Sequence, residues 1–285
     1  MPITGVGSGR GRVVEQSFHQ GLELLHQPPS SRAAGRRPLL FLHGAFAGAW
    51  IWAEHVLPWF TARGYDAYAL SFRGHGASAG RGELHDFGTA DYVEDVLSIL
   101  PIFEAPPVLI GHSMGGYIAQ RVVEDLEVPA YVLMASVPPT GLMGPAVTMA
   151  VFQPWLLGRL FEIQWGDGST AGPETLRKAF FWKDMPARQA RSYLARVQNE
   201  SRRATLELYW PAMPNLARLL RVPALVLGAR QDRLIAAPHV VQTAALLGTS
   251  PTLFPDIGHA MMLEPGWKDV ATRIHGFLSE RMGGA

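Results

Sequence analysis

The run Pro107-Val108-Leu109-Ile110-Gly111-His112-Ser113-Met114-Gly115-Gly116 constrains this chain more than any other stretch. Four residues of strand character lead straight into a Gly-x-Ser-x-Gly, and Met114 to Asp125 then carries apolar residues at helical spacing. A serine set directly between a strand and a helix lies in a tight turn with strained backbone angles. Bulk two residues before or after it would clash with that turn, and Gly111 and Gly115 occupy those places. The turn lifts the Ser113 hydroxyl above the strand end. It also puts the Met114 amide at a helix N-terminus, where it can donate to a developing negative charge.

The flanks repeat the same grammar. Leu39 to Leu42, Asp66 to Ser71, Ala130 to Met134 and Ala224 to Leu227 read as further strands. Helical stretches near Ala53 to Arg63 and Ala90 to Leu100 fall between them. Val13 to His19 and Leu22 to His26, joined at Gln20-Gly21, read as an opening hairpin, followed by a polar loop from Gln27 to Pro38. A helix near Ala237 to Leu247, a strand around Pro251 to Phe254 and an amphipathic helix from Trp267 to Arg281 close the chain. The expected fold is α/β: a mostly parallel central sheet flanked by helices. From Val137 to about Tyr209 no strand is evident and large apolar residues dominate. We therefore expect one core, residues 1–136 and 209–285, with residues 137–208 inserted as a helical cap.

Composition narrows the chemistry. The chain has 285 residues, 48% of them hydrophobic, and a formal charge of +1, which provides no net field for gathering polyanions. Arg10, Arg12, Arg32, Arg36 and Arg37 lie in Gly/Ser-rich stretches and read as a solvated tail and loop, with no nucleic acid as partner. There is no cysteine, so a thiolate nucleophile and thiolate metal sites are excluded. No secretory leader and no membrane-spanning run is evident, which implies a cytoplasmic location. No His-Glu-x-x-His occurs, and Gly5 to Gly11 lacks the strand and spacing of a dinucleotide loop, so no metal, nucleotide or other cofactor is expected.

Upstream, the strand at Leu39 to Leu42 runs into His43-Gly44-Ala45-Phe46-Ala47-Gly48-Ala49-Trp50-Ile51-Trp52. Together with Gly-His-Ser-Met-Gly-Gly and Ser71-Phe72-Arg73-Gly74-His75-Gly76-Ala77-Ser78, this resembles the α/β-hydrolase superfamily over nearly the whole chain. The first run resembles its esterase and hydroxynitrile-lyase branch, and the second its bacterial esterases and monoacylglycerol-lipase-like enzymes. The turn at Ser71 to Ser78 is usually structural in that family, so His75 is given no role. The resemblance implies a serine nucleophile, then an acid after a late strand, then a histidine after the last strand. Asp232, in Ala229-Arg230-Gln231-Asp232, and His259, in Asp256-Ile257-Gly258-His259, match that order; Asp256 is the rival acid. It also implies a second oxyanion donor in the loop after the third strand, at the Ala45 amide, with Phe46 as the close alternative.

These residue types suit one task. A serine hydroxyl is a weak nucleophile at neutral pH, so an imidazole must take its proton and a carboxylate must hold the imidazole's tautomer. The expected function is hydrolysis of an ester-type bond of a small lipophilic molecule, carried by Ser113, His259 and Asp232. Phe46 and Trp155 are the candidate substrate contacts, the latter within an aromatic cap that also holds Met149, Phe152, Leu156, Leu160, Phe161, Trp165, Phe180, Phe181, Trp182, Tyr193, Tyr209 and Trp210. Carbon–carbon, thioester or perhydrolytic chemistry on the same three residues is the alternative, and a non-catalytic receptor is the reading from another class. A hydroxynitrile lyase fits less well, because His43 is followed by Gly44 where that group usually has Thr, and Lys178 and Lys183 are the cap's lysines. Dehalogenases and epoxide hydrolases of this fold carry Asp where Ser113 stands. The other histidines, including His55, His85, His112, His239 and His275, read as surface or packing residues.

Overall fold

The structure is a computed structural model that describes residues 14–29, 31, 36–166, 173–182 and 185–282. Arg10, Arg12, Val13, Arg32 and Lys183 lie outside the described residues. The chain opens with β1 (Glu15–His19) and β2 (Leu22–Gln27), joined by Gln20 and Gly21, both with positive φ, as a two-residue hairpin turn requires. β3 (Leu39–Leu42), α1 (Trp50–Ala53), α2 (Val56–Thr61) and β4 (Ala67–Leu70) follow. Next come α3 (Thr89–Ile99), β5 (Val108–His112), α4 (Met114–Asp125) and β6 (Tyr131–Met134).

Between β6 and the next strand the chain is helical: α5 (Met143–Phe152), α6 (Pro154–Trp165), α7 (Pro173–Phe180), α8 (Ala187–Leu194), α9 (Arg202–Tyr209) and α10 (Leu216–Leu219). The rest is β7 (Ala224–Ala229), α11 (Ala237–Leu246), β8 (Thr252–Phe254) and α12 (Trp267–Met282). The single helix expected near Ala53 to Arg63 is instead two short ones. His55, at φ −136° and ψ −44°, leaves helical geometry between them.

The eight strands among the described residues form one sheet in the order β1-β2-β4-β3-β5-β6-β7-β8. The hairpin edge is antiparallel, and everything from β4 to β8 is parallel. Both faces of that parallel part are covered, which is why Leu39–Leu42 and Tyr131–Met134 are continuous apolar runs. Leu39, Phe41, Ile110, Val132 and Leu227 pack with Trp52, Phe60, Ile274 and Phe277 of α1, α2 and α12. Leu40, Leu42, Leu109, Leu133 and Val226 pack on the other side with Tyr92, Ile118, Val122 and Val240 of α3, α4 and α11. Arg36, expected to be simply solvated, lays its guanidinium 4.2 Å from the centre of the Tyr65 ring. Among the described residues no helix is long and apolar enough to cross a membrane.

In a parallel sheet all carboxyl ends lie on one edge, and loops from several strands converge there. His43, Ser113, Asp232 and His259 follow the ends of β3, β5, β7 and β8. Close packing at this edge leaves no room for a side chain at Gly115, since a Cβ on it would overlap the backbone carbonyl groups of Leu42, the last residue of β3, and of His43. Gly115→Ala is expected to destabilise the fold by about 1–3 kcal/mol through overpacking, read as a lowered denaturation midpoint.

Candidate active site

Ser113 has φ 52° and ψ −117°, a conformation an L-residue holds only when its surroundings enforce it, at a cost of roughly 1–3 kcal/mol. Here its N–H donates to the Met134 carbonyl at 3.0 Å, and its carbonyl accepts from Gly116 and Val137 at 3.0 and 3.1 Å. The residues on either side are buried, whereas Ser113 remains partly exposed. The strain thus aims the hydroxyl out of the sheet edge, into a cavity.

Asp232 and His259 come together across the sheet edge. His259 Nδ1 lies 2.8 Å from Asp232 Oδ2, and both side chains are buried. The other carboxylate oxygen, Oδ1, accepts the backbone N–H groups of Leu234 and Ile235 at 2.8 and 2.9 Å, so the carboxyl plane cannot turn. Asp256 is exposed and stands at φ 53° in the tight bend before His259. The histidine loop is pinned in turn. The His259 carbonyl accepts from His112 Nε2 at 2.9 Å, and Ala260 N–H donates to the Phe180 carbonyl at 2.8 Å. Glu264 accepts the N–H groups of both Gly258 and Trp182. Burial holds His112 well below the usual imidazole range, so it stays neutral beside His259.

The loop after β3 approaches from the opposite side. His43 is fully buried, and burial lowers it to about 3, so it is neutral at any ordinary pH. Its Nε2 accepts the Phe72 N–H at 3.1 Å, which leaves the proton on Nδ1 to donate to the Gly44 carbonyl at 2.8 Å. In a trans peptide the C=O and N–H point in opposite directions, so pinning the Gly44 carbonyl also sets the direction of the Ala45 N–H. Phe46 stands at φ 65°, and its carbonyl accepts the Gln198 N–H at 3.0 Å. Gly44 lies against the Ser113 turn so closely that a Cβ there would come within 2.9 Å of Ser113 Cβ.

Ser113, Met114, Ala45, Phe46 and His259 share the wall of one cavity of about 140 Å³. Its roof comes from Pro145, Ala146 and Met149 of α5 and from Leu157, Leu160, Phe161 and Gln164 of α6, and Leu234 and Ile235, which follow Asp232, also line it. Phe46 is thus in the wall; Trp155 is not. Residues 157, 160, 161 and 164 repeat at helical spacing and form one face of α6, whereas Trp155 sits some 200° around from Leu157, half exposed, with Lys178 Nζ 5.5 Å from its ring centre. Phe152 is likewise exposed. Leu234 and Ile235 were missed by sequence reasoning although they adjoin the nominated acid. Their N–H groups hold Asp232 while their side chains line the cavity, and nothing in an apolar pair signals that double use.

An Alpha/beta hydrolase family model matches residues 39–272. The chain belongs to the alpha/beta hydrolase family. This alpha/beta hydrolase is 26% identical over 245 residues to a monoacylglycerol lipase of Mycolicibacterium smegmatis, a match covering 79% of this chain and 82% of that one. Its fold is similar to that of a membrane phospholipase A described as a bacterial virulence factor, with a TM-score of 0.69 at 20% identity over 96% of this chain and 88% of that one. It is also similar to that of a bromoperoxidase from Bacillus anthracis, with a TM-score of 0.67 at 18% identity over 90% and 96% of the two chains. Family and relatives support a hydrolase of the lipase and esterase type.

Proposed function

We propose that this alpha/beta hydrolase cleaves an ester of a small lipophilic molecule through an acyl-enzyme on Ser113. The observation that carries the reading is the His259 ring, held at 2.8 Å by a carboxylate that cannot rotate, in the same cavity wall as a strained, partly exposed serine. In the forward step His259 Nε2 takes the Ser113 proton as Oγ bonds to the ester carbonyl carbon, and the carbonyl oxygen becomes an oxyanion. The Ala45 and Met114 N–H groups receive that charge, each such donor being worth ~2.7–4 kcal/mol of transition-state stabilisation. The imidazolium then returns its proton to the departing alkoxide, which leaves as the alcohol. Water repeats the sequence on the acyl-serine and releases the acid.

Residues 137–208 act in this reading as the cap, extended by one residue because α9 runs through Tyr209, which lines the cavity. The cavity is close in size to a roughly 150 Å³ apolar void that accepts benzene. That favours an acyl or alcohol group of about six to ten heavy atoms over a long straight chain. The resemblance to a monoacylglycerol lipase supports a lipophilic ester as substrate class.

The test is hydrolysis of p-nitrophenyl esters from acetate to palmitate, with Ser113→Ala protein as the blank. A Ser113-dependent optimum between butyrate and decanoate is expected. Equal inertness of both proteins on every ester would sink ester hydrolysis and move carbon–carbon substrates ahead. Ala146 of α5 is partly exposed to the cavity, so Ala146→Phe is expected to move the optimum to shorter acyl groups; an unchanged profile would mean that the acyl group does not lie under α5.

A further inference from the structure

The loop from His43 to Ala49 is anchored at three points. At its start, His43 takes the Phe72 N–H and donates to the Gly44 carbonyl. At its end, Ala49 N–H donates to Ser71 Oγ at 2.8 Å, and that hydroxyl donates to Glu23 Oε2 at 2.6 Å. Both of these anchors belong to the sheet edge itself. The middle anchor is of different origin: the Phe46 carbonyl is held by the N–H of Gln198, in the strap between α8 and α9 of the helical segment. Phe46 is the one residue of this loop with positive φ, so it is the point at which the loop relaxes if that bond is lost.

The strap is itself fixed with unusual thoroughness. The Gln198 side chain uses both ends of its amide on the Gly74–Gly76 turn: Oε1 accepts the Gly76 N–H at 2.9 Å and Nε2 donates to the Gly74 carbonyl at 3.0 Å. Two residues on, Glu200 is wholly buried. Its Oε2 lies 3.0 Å from His75 Nε2, and its Oε1 accepts from Tyr92 OH at 2.8 Å and Ser201 N–H at 2.7 Å. Burial opposes charge on both groups, but their mutual attraction and hydrogen bond outweigh it, drawing Glu200 below its ordinary carboxylate range and raising His75 above the ordinary imidazole one. From the cap side, Gln164 of α6, which also lines the cavity, donates Nε2 to the carbonyls of Glu200 and Ser201 at 3.2 and 3.1 Å.

We propose that Gln198 is a positioning residue for the oxyanion loop, with the Glu200–His75 pair fixing the strap behind it, so that a seated cap holds the Phe46–Ala47 peptide and thereby steadies the loop whose Ala45 amide is aimed by His43 through the Gly44 carbonyl. This rests on the reading of that loop as oxyanion donor. A residue that merely glued the strap to the turn would affect stability but neither loop mobility nor the chemical step.

The experiment is hydrogen–deuterium exchange of the full chain, resolved over residues 42–50, together with kcat and KM for p-nitrophenyl butyrate, on the wild type, Gln198→Ala and Gln198→Glu. In Gln198→Ala the amides of residues 44–48 are expected to exchange about tenfold faster while β5 and α4 stay protected. The kcat is expected to fall about tenfold, a fraction of the 10²–10³ carried by a whole oxyanion donor, with KM within about twofold of wild type. Gln198→Glu keeps the acceptor for Gly76 and loses the donor for Gly74, so it should lie between; it carries the same readouts if the alanine variant does not fold. Unchanged exchange over 44–48 in a folded Gln198→Ala overturns the proposal, and so does a loosened loop with unaltered kcat. A wild type inert to every ester refutes the ester reading instead, while the exchange result still decides whether Gln198 holds the loop.

Discussion

Ser113→Ala is expected to lower kcat for p-nitrophenyl butyrate by about 10⁶, to the level left by binding and the oxyanion donors alone. The size of the effect follows from the proposed mechanism: without Oγ no acyl-enzyme would form, and His259 and Asp232 would have no proton to handle. The fold should tolerate the change. What forces the backbone at 113 into φ 52° is its bonds to Met134, Gly116 and Val137, all of which alanine retains. Circular dichroism and the thermal midpoint check that point. A Ser113→Ala protein that kept a tenth of the activity would rule out the acyl-enzyme.

Asp232→Asn is expected to cost about 10⁴ in kcat with little change in KM. The structure dictates how the amide must sit. Leu234 and Ile235 N–H both point at Oδ1, so the asparagine oxygen has to remain there and its NH₂ has to face His259 Nδ1. That forces the tautomer with the proton on Nε2, the nitrogen that should accept the Ser113 proton. The geometry would survive and the base would be lost. Asp256→Asn, at an exposed position, should leave kcat within about twofold, as is usual of surface substitutions away from special features. The reverse outcome, loss at 256 and tolerance at 232, would hand the acid's role to Asp256.

The His75–Glu200 pair also predicts how stability depends on pH. Its folded carboxylate lies below the ordinary 4.5 and its folded imidazole above the ordinary 6.5. Stabilisation from Glu200 is therefore present above 4.5 and lost as pH falls through its lowered value. Stabilisation from His75 is present below 6.5 and lost as pH rises through its raised value. The pair contributes most between those two limits. Glu200→Gln should flatten the thermal midpoint's dependence on pH on both flanks, and an unaltered profile would show that the pair is not ionic.

How much of this was legible beforehand depended on the range of the interaction involved. The Ser113 turn could be read because everything that makes it, strand, two glycines and helix, lies within some twenty consecutive residues. The parallel sheet could be read from apolar runs that only a doubly covered strand needs. His259 and Asp232 could be named from chain order, but chain order alone left Asp256 as a rival. Only the bond across 27 residues, with the Leu234 and Ile235 amides closing on Asp232, distinguishes the two carboxylates. The aromatic content of the cap was visible, yet which ring meets the cavity was not, because that depends on the rotation of α6 about its own axis. Leu157 and Leu160 face inward and Trp155 outward.

His75 marks the boundary most sharply. In the sequence it sits in a turn with no charged residue that explains it, and its partner Glu200 lies 125 positions away inside the cap. Sequence by itself determined the local geometry of the Ser113 turn, the class of sheet and the kinds of side chain available, since these are set by backbone sterics and burial pattern within one or two elements. Tertiary structure alone decided which carboxylate holds His259, which residues roof the cavity and which strap holds the Phe46 carbonyl. Each of those choices is a contact between segments that become neighbours only after the sheet has brought its carboxyl ends to one edge.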